Sequence, residues 1–349
     1  MAGSPLLPLL LLGLASVGFY LLWGIGYQNH FDVHAQGACA AGVVRTVYTT
    51  FPPVDNFVRS SPFARRTRAN SAQLCTLVSF FNAAGSVPQV GPFLTSFGGI
   101  LLVPLGILHL EANRPSAPLL VAFSPLFVGT LFQCVGAAVA CPLFFAAYLL
   151  LAPPRTPTLP SSRLRTIFPS LFLAYLLPAT LMSDPLHLLT PAKQQGLSAF
   201  WQAFPLWLAL VQPLSRLFLP SFLPSSPRAV LSSLAVLAAI THWAAIYELY
   251  EVALATNTPI LDVARSIVNI PLHPTTYSGT AHLFLLFDAV VTTFATGLFV
   301  VLAPGRKMGV GKMLGGMLGM TVVGGPGAAF LWAWRSREGM ADLKWKKRA

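Results

Sequence analysis

Apolar runs of bilayer length recur from one end of this chain to the other, and they constrain its fold more than any motif does. A run of about 18 or more residues with few charges reads as a membrane crossing. Such runs lie near 5–26, 92–110, 128–151, 164–182, 196–219, 228–253 and 279–303, with weaker candidates at 71–86 and 310–334. Charged residues make up only 9% of the chain, against about 25% in an ordinary soluble domain. That is too few to cover a water-facing surface. The sequence therefore predicts an all-α, polytopic transmembrane helical bundle of about seven to nine spans, a single integral membrane domain over residues 1–349 with a basic tail at 335–349.

The first run lacks a basic leader and a small-residue cleavage site, so it reads as a span rather than a cleaved signal. A polar stretch from Tyr27 to Asn70 follows. The run from Pro118 to Leu151 is too long for one crossing and reads as a half-helix plus a span. Thirty prolines and 27 glycines punctuate the runs, and neighbouring helices can satisfy the backbone groups such residues free, so kinks are expected. The formal charge of +12 sits in short clusters between apolar runs and not along one face, which points to topology signals and lipid headgroups and away from nucleic acid. Four cysteines, Cys39, Cys75, Cys134 and Cys141, show no metal-ligand spacing and read as small packing residues.

Parity orders the polar groups. If the runs from Pro92 to Ala303 are six consecutive crossings, the first, third and fifth end on one side. Those ends carry Glu111, Asp184 and the pair Glu248/Glu251, with Asp262 in the loop beyond and Asp288 in the nearer half of the sixth crossing. The opposite loops hold Arg155, Arg163, Arg165, Arg216, Arg228, Arg306, Lys307 and Lys312 and no acid, which makes that side cytosolic by the positive-inside rule. The ending Lys346-Lys347-Arg348-Ala349 resembles a dilysine retrieval signal, implying the endoplasmic reticulum and a cytosolic C-terminus. A simple lipid contact is the plainer reading of such a tail.

Ionisable groups at membrane depth are costly and either line a cavity or pair with one another. Glu111 and Arg114, three apart at a span end with Asn113 between them, read as a local ion pair or as a tuned proton donor with its binding partners. Along one helix, His242, Trp243 and Tyr247 read as a cavity lining for Glu248 and Glu251, whose carboxyls are close enough to hold one proton between them; an interfacial aromatic belt is the alternative. Asp184 before Pro185 reads as a second acid or as the start of a turn. Asp288, flanked by Phe284, Leu285, Leu286 and Phe287, reads as an acid in an apolar chamber or as a helix–helix hydrogen bond.

Phe51-Pro52-Pro53-Val54-Asp55, then Leu77-Val78-Ser79-Phe80-Phe81, then a span closing on Glu111-Ala112-Asn113-Arg114-Pro115, together resemble the fungal membrane-bound terpene cyclases of the ascochlorin and ascofuranone type. The resemblance implies a metal-free isomerase of meroterpenoid biosynthesis, which protonates an epoxide or alkene of a farnesyl chain. It places Asp55, Glu111 and Arg114 at matching motif positions. No nucleotide, zinc or aspartate-rich diphosphate motif is present, and no cofactor or metal is expected. The expected partners are a hydrophobic prenylated small molecule and the bilayer. Catalytic candidates are Glu111, Asp288, Glu248, Asp184 and Asp55. The alternatives are a proton-coupled transporter, which buried acids would equally serve, and a non-catalytic membrane scaffold.

Overall fold

The computed structural model describes residues 6–40, 64–115, 117–151, 159–183, 189–218, 223–303 and 308–338. Asp55, Asp184 and the Lys346-Lys347-Arg348 tail lie outside the described residues. All the regular structure within them is helical: α1 (Leu6–Gln28), α2 (Phe31–Ala40), α3 (Ala64–Gly85), α4 (Val90–Ala112), α5 (Ser124–Val135), α6 (Ala137–Leu151), α7 (Ser161–Met182), α8 (Pro191–Gln202), α9 (Phe204–Phe218), α10 (Pro227–Thr256), α11 (Ile260–Val268), α12 (Tyr277–Leu302) and α13 (Val310–Glu338).

Helix α4 is apolar all round and is the axis of the bundle, with every residue from Phe97 to Glu111 buried except Gly98. Such a helix has no face to offer water or lipid and must be surrounded by others. Helix α10 runs antiparallel to it, since Thr95 meets Glu248, Gly99 meets Thr241 and Gly106 meets Leu234. Leu150, Val290, Phe294 and Val322 are exposed on the outside, where lipid replaces water as the solvent.

Two segments enter the bundle and turn back. Helix α5 ends at Gly136, whose φ of 92° suits glycine, and α6 starts immediately after it. A Cβ at Gly136 would lie 2.5 Å from Leu22 and 3.0 Å from Asp288, so the tip is wedged between α1 and α12. The far end of α6 comes back to the end of α4, where the Tyr148 hydroxyl donates to Glu111 Oε2 at 2.8 Å. Helix α13 reverses at Gly325, φ 78°, followed by Pro326. A Cβ at Gly316 would touch the Trp332 ring, a contact that a straight helix, rising about 1.5 Å per residue, could not make across 16 residues. Glu338 then reaches Arg114, again beside the end of α4.

Six helices among the described residues are long and apolar enough to cross a membrane, α1, α4, α7, α10, α12 and α13, of which α13 folds back at Gly325; the α5–α6 hairpin and the kinked pair α8–α9 bring the apolar units to eight. The expected all-α bundle is present, and its expected seven to nine spans agree roughly with the six candidate spans. The acids and the basic residues, however, are not segregated as parity predicts. Because 118–151 doubles back, Glu111 and Arg114 move to the face that carries Arg163, and Arg163 Nη1 indeed donates to the Asn113 carbonyl at 3.3 Å. Glu111 and Glu248 stand at opposite ends of α4, so the acids do not share one half of the bilayer. The end of α4 marks the ion-pair face of the bundle.

At the opposite face, α2 and α3 cover the ends of α1, α4 and α12. Phe31 stacks on Phe284 and meets Phe80 edge-on, Ser86 bonds Ser278 at 3.0 Å, and a disulfide joins Cys39 to Cys75. The reading of all four cysteines as packing residues is thus corrected for two of them. The 41–63 linker hides from the sequence that these two helices are neighbours.

Candidate active site

A cavity of about 460 Å³ opens inside the bundle, within the range typical of small-molecule sites. It occupies the half nearer the disulfide face, between Ser86 and Gly91 at that end and Ala137 and Asp288 at the tip of the α5–α6 hairpin. Its deep wall is aromatic, with Phe97, Phe132, Tyr175, Trp201 and Phe204. The Trp201 indole donates to the Tyr175 carbonyl at 3.1 Å, which fixes the ring while burying its polar atom. Nearer the disulfide face, Asn82, Gln194 and Gln195 supply amides and Ser86 a hydroxyl.

Asp288 is the single carboxyl among the lining residues, which include no lysine, arginine or histidine. Its Oδ1 accepts the Ala138 amide at 2.6 Å. That amide is one of the first-turn donors of α6, which have no partner inside their own helix. The helix start also favours a negative group. The carboxyl thus holds the hairpin tip and faces the chamber.

Glu248 stands one hydroxyl behind the wall. Thr95, a lining residue, donates from Oγ1 to Glu248 Oε1 and Oε2, at 3.0 and 2.9 Å. Glu251 is exposed and takes its hydrogen bond from Tyr247, itself 63% exposed. The expected sharing of a proton between Glu248 and Glu251 is therefore corrected: the two point away from each other, about 60° being enough to send one inward and one outward. Trp243 and Tyr247 are likewise outward-facing and do not line the chamber. The Trp243 indole instead donates to the Val323 carbonyl at 2.9 Å, and His242 packs against Gly325. Both brace the tip of the α13 hairpin.

Glu111, Asn113 and Arg114 lie outside the cavity, on the ion-pair face. Arg114 Nε donates to Glu111 Oε2 at 2.7 Å and Nη2 to Glu338 Oε1 at 2.9 Å. All three charged residues are buried. Burial works against the charged guanidinium, but Glu111 and Glu338 outweigh it and hold Arg114 above its ordinary range. Asn113 Nδ2 closes the end of α4 on the His109 carbonyl at 2.7 Å. This knot ties together the ends of α4, α6 and α13. Sequence reasoning found Glu111 and Arg114 through their spacing and missed Tyr148 and Glu338, which are distant in the chain. It also missed Thr95, Gln194 and Gln195, because neutral polar residues carry no signal of depth.

A family model for the CtvD domain matches residues 6–341, nearly the whole chain. The chain belongs to the CtvD family. This CtvD-family chain is also similar to the terpene cyclase AscI of Acremonium egyptiacum, at 30% identity over 190 residues, which cover 48% of each protein. The match thus spans about half the length of that relative. No solved structure matches the chain.

Proposed function

We propose that the CtvD-family chain is a membrane-bound terpene cyclase and that its cavity is the cyclisation chamber, with Asp288 as the proton donor. The observation that carries this is the position of Asp288: the one charged side chain among the described residues that line an aromatic-walled cavity within the helical bundle. The name of the AscI relative agrees with it. In this reading Asp288 gives its proton to the oxygen of an epoxide, or to a terminal alkene, of a farnesyl chain carried by a meroterpenoid intermediate. The carbon left electron-deficient is attacked by the next alkene, and a ring closes without loss or gain of atoms. The ring faces of Phe97, Phe132 and Trp201 stabilise the cation, and the closed helical wall keeps water from trapping it.

A neutral substrate head suits the described part of this wall, where amides at Asn82, Gln194 and Gln195 match phenol or carbonyl oxygens. The disulfide face is assigned to the lumen, because disulfides persist in oxidising compartments and because Arg163, Arg228 and Lys312 begin helices at the other face. The endoplasmic reticulum and a cytosolic C-terminus follow from the same assignment together with the basic tail. Glu111, with both oxygens engaged by Arg114 and Tyr148, is a structural group here and not the donor.

The test is conversion of epoxyfarnesyl phenols by yeast microsomes containing the protein. Asp288→Asn should slow conversion by about 10²–10⁴-fold, the usual contribution of a general acid, at unchanged protein level. Conversion by Asp288→Asn at the wild-type rate would rule this donor out. A proton-coupled carrier is the second reading, favoured by one feature: a half-helix start meeting an acid near mid-membrane, as in many transporters. Uptake of the same phenols into proteoliposomes driven by a pH gradient, without ring formation, would decide for it.

A further inference from the structure

We infer that Thr95 is the group that takes the proton back at the end of the reaction, with Glu248 acting through it. This rests on the cyclase reading above and adds a second proton-transfer station to the same chamber.

The positive charge does not stay where the first proton arrives. Each ring closure carries it along the chain, so the base that ends the reaction belongs at a different point of the wall from the acid that starts it. The Phe93 and His282 rings, with centroids 6.1 Å apart, set those positions of α4 and α12 beside each other. Thr95 lies two residues beyond Phe93 and Asp288 six beyond His282, so at about 1.5 Å per residue the two are offset by about 6 Å along the bundle axis. Thr95 is the one nearer the disulfide face.

The bonding of Thr95 departs from that of its counterparts. A helical threonine commonly returns its hydroxyl proton to a carbonyl of the preceding turn, and Thr130, Thr180, Thr241, Thr256 and Thr321 do so in this chain. Thr95 instead directs its proton across the helix interface to a carboxylate on α10. An isolated hydroxyl is a poor base. Backed by a carboxylate it can accept a proton as it hands on its own, the same logic by which a paired base activates a hydroxyl elsewhere. Gly91, one turn earlier on α4, also lies beside this carboxylate: a Cβ there would be 4.0 Å from Glu248 Oε2. Glu248 is only half-buried, so it has a route to water even while the chamber is filled.

The step balances. The C–H bond next to the cationic carbon breaks, and its electrons form the new C=C. The proton goes to Thr95 Oγ1, the proton that Thr95 carried goes to the Glu248 carboxylate, and the resulting acid loses it to water. Asp288 takes a proton back from water once the product has left, so acid and base are both reset and the substrate has been isomerised.

Thr95→Val keeps the shape and removes the hydroxyl. With an epoxyfarnesyl phenol in microsomes, Thr95→Val and Glu248→Gln should each lower the deprotonated ring product by about 10²-fold, the low end of what a general base contributes. Substrate consumption should fall less, and the difference should appear as alcohols in which water has trapped the cation. Thr95→Ser should restore the wild-type product, which a merely structural loss would not do. A wild-type product ratio in Thr95→Val overturns the inference, and so does a parallel loss of all products that Thr95→Ser fails to rescue. If Asp288→Asn still converts substrate while Thr95→Val shifts the products, the donor assignment falls and the inference stands. If the wild type converts no epoxyfarnesyl phenol, both fall together.

Discussion

Arg114 bridges two buried carboxylates, Glu111 and Glu338. Removing one partner from such a group costs about 3–5 kcal/mol, because the charge left behind is already out of water. Arg114→Leu should therefore lower the unfolding temperature of the detergent-solubilised protein markedly, and Glu338→Gln less, since Glu111 keeps its partner. The folded fraction of either variant should retain its turnover, measured per folded molecule; loss of turnover without loss of stability would place the knot in the chemistry. At this scale the sequence showed depth better than direction. Asp288 was legible as an acid deep in an apolar run, and Glu111 and Arg114 as an i,i+3 pair. The outward aim of Trp243 and Tyr247 was not, because a helix in lipid is apolar on every side and periodicity says little about which side faces protein.

Breaks in helices were visible in the sequence, but whether the chain goes on or turns back after a break depends on what the break meets. Gly324-Gly325-Pro326 in α13 announces its own interruption. Gly136 is a lone glycine between two apolar stretches, and nothing nearby says that α6 returns to the end of α4; that is settled by Asp288 and Leu22, distant in sequence, which grip the tip. Gly136→Ala places a Cβ in a backbone region that alanine avoids and into contact with both residues. A cost of about 1–3 kcal/mol is expected from overpacking alone. Because the strain falls on the amide that Asp288 accepts, ring formation should drop by more than the loss of folded protein accounts for. Turnover and protein level measured together check this, and equal losses would argue against it.

The arrangement of the whole chain follows from those two reversals. With α5–α6 and α13 folded back, the start of α1 and the end of α13 share the ion-pair face, and the disulfide stands on the other. Tags on the two termini should therefore be accessible to protease from the same side of sealed microsomes. Cys39 and Cys75 should react with a maleimide only after reduction and only once the membrane is permeabilised. Labelling from outside intact, correctly oriented vesicles would invert the assigned orientation. The fold class was plain in the sequence because a shortage of charge leaves so few alternatives. The exact topology was not, since one mistaken crossing exchanges the sides of everything before it.

The chamber reaches one face of the bundle and stops at the hairpin tip near mid-membrane. A greasy molecule that enters from that leaflet is expected to leave by it as well, since Phe132 and Asp288 line the inner end of the chamber among the described residues. Whatever modifies the product next must collect it from the same monolayer, or wait for it to flip across unaided.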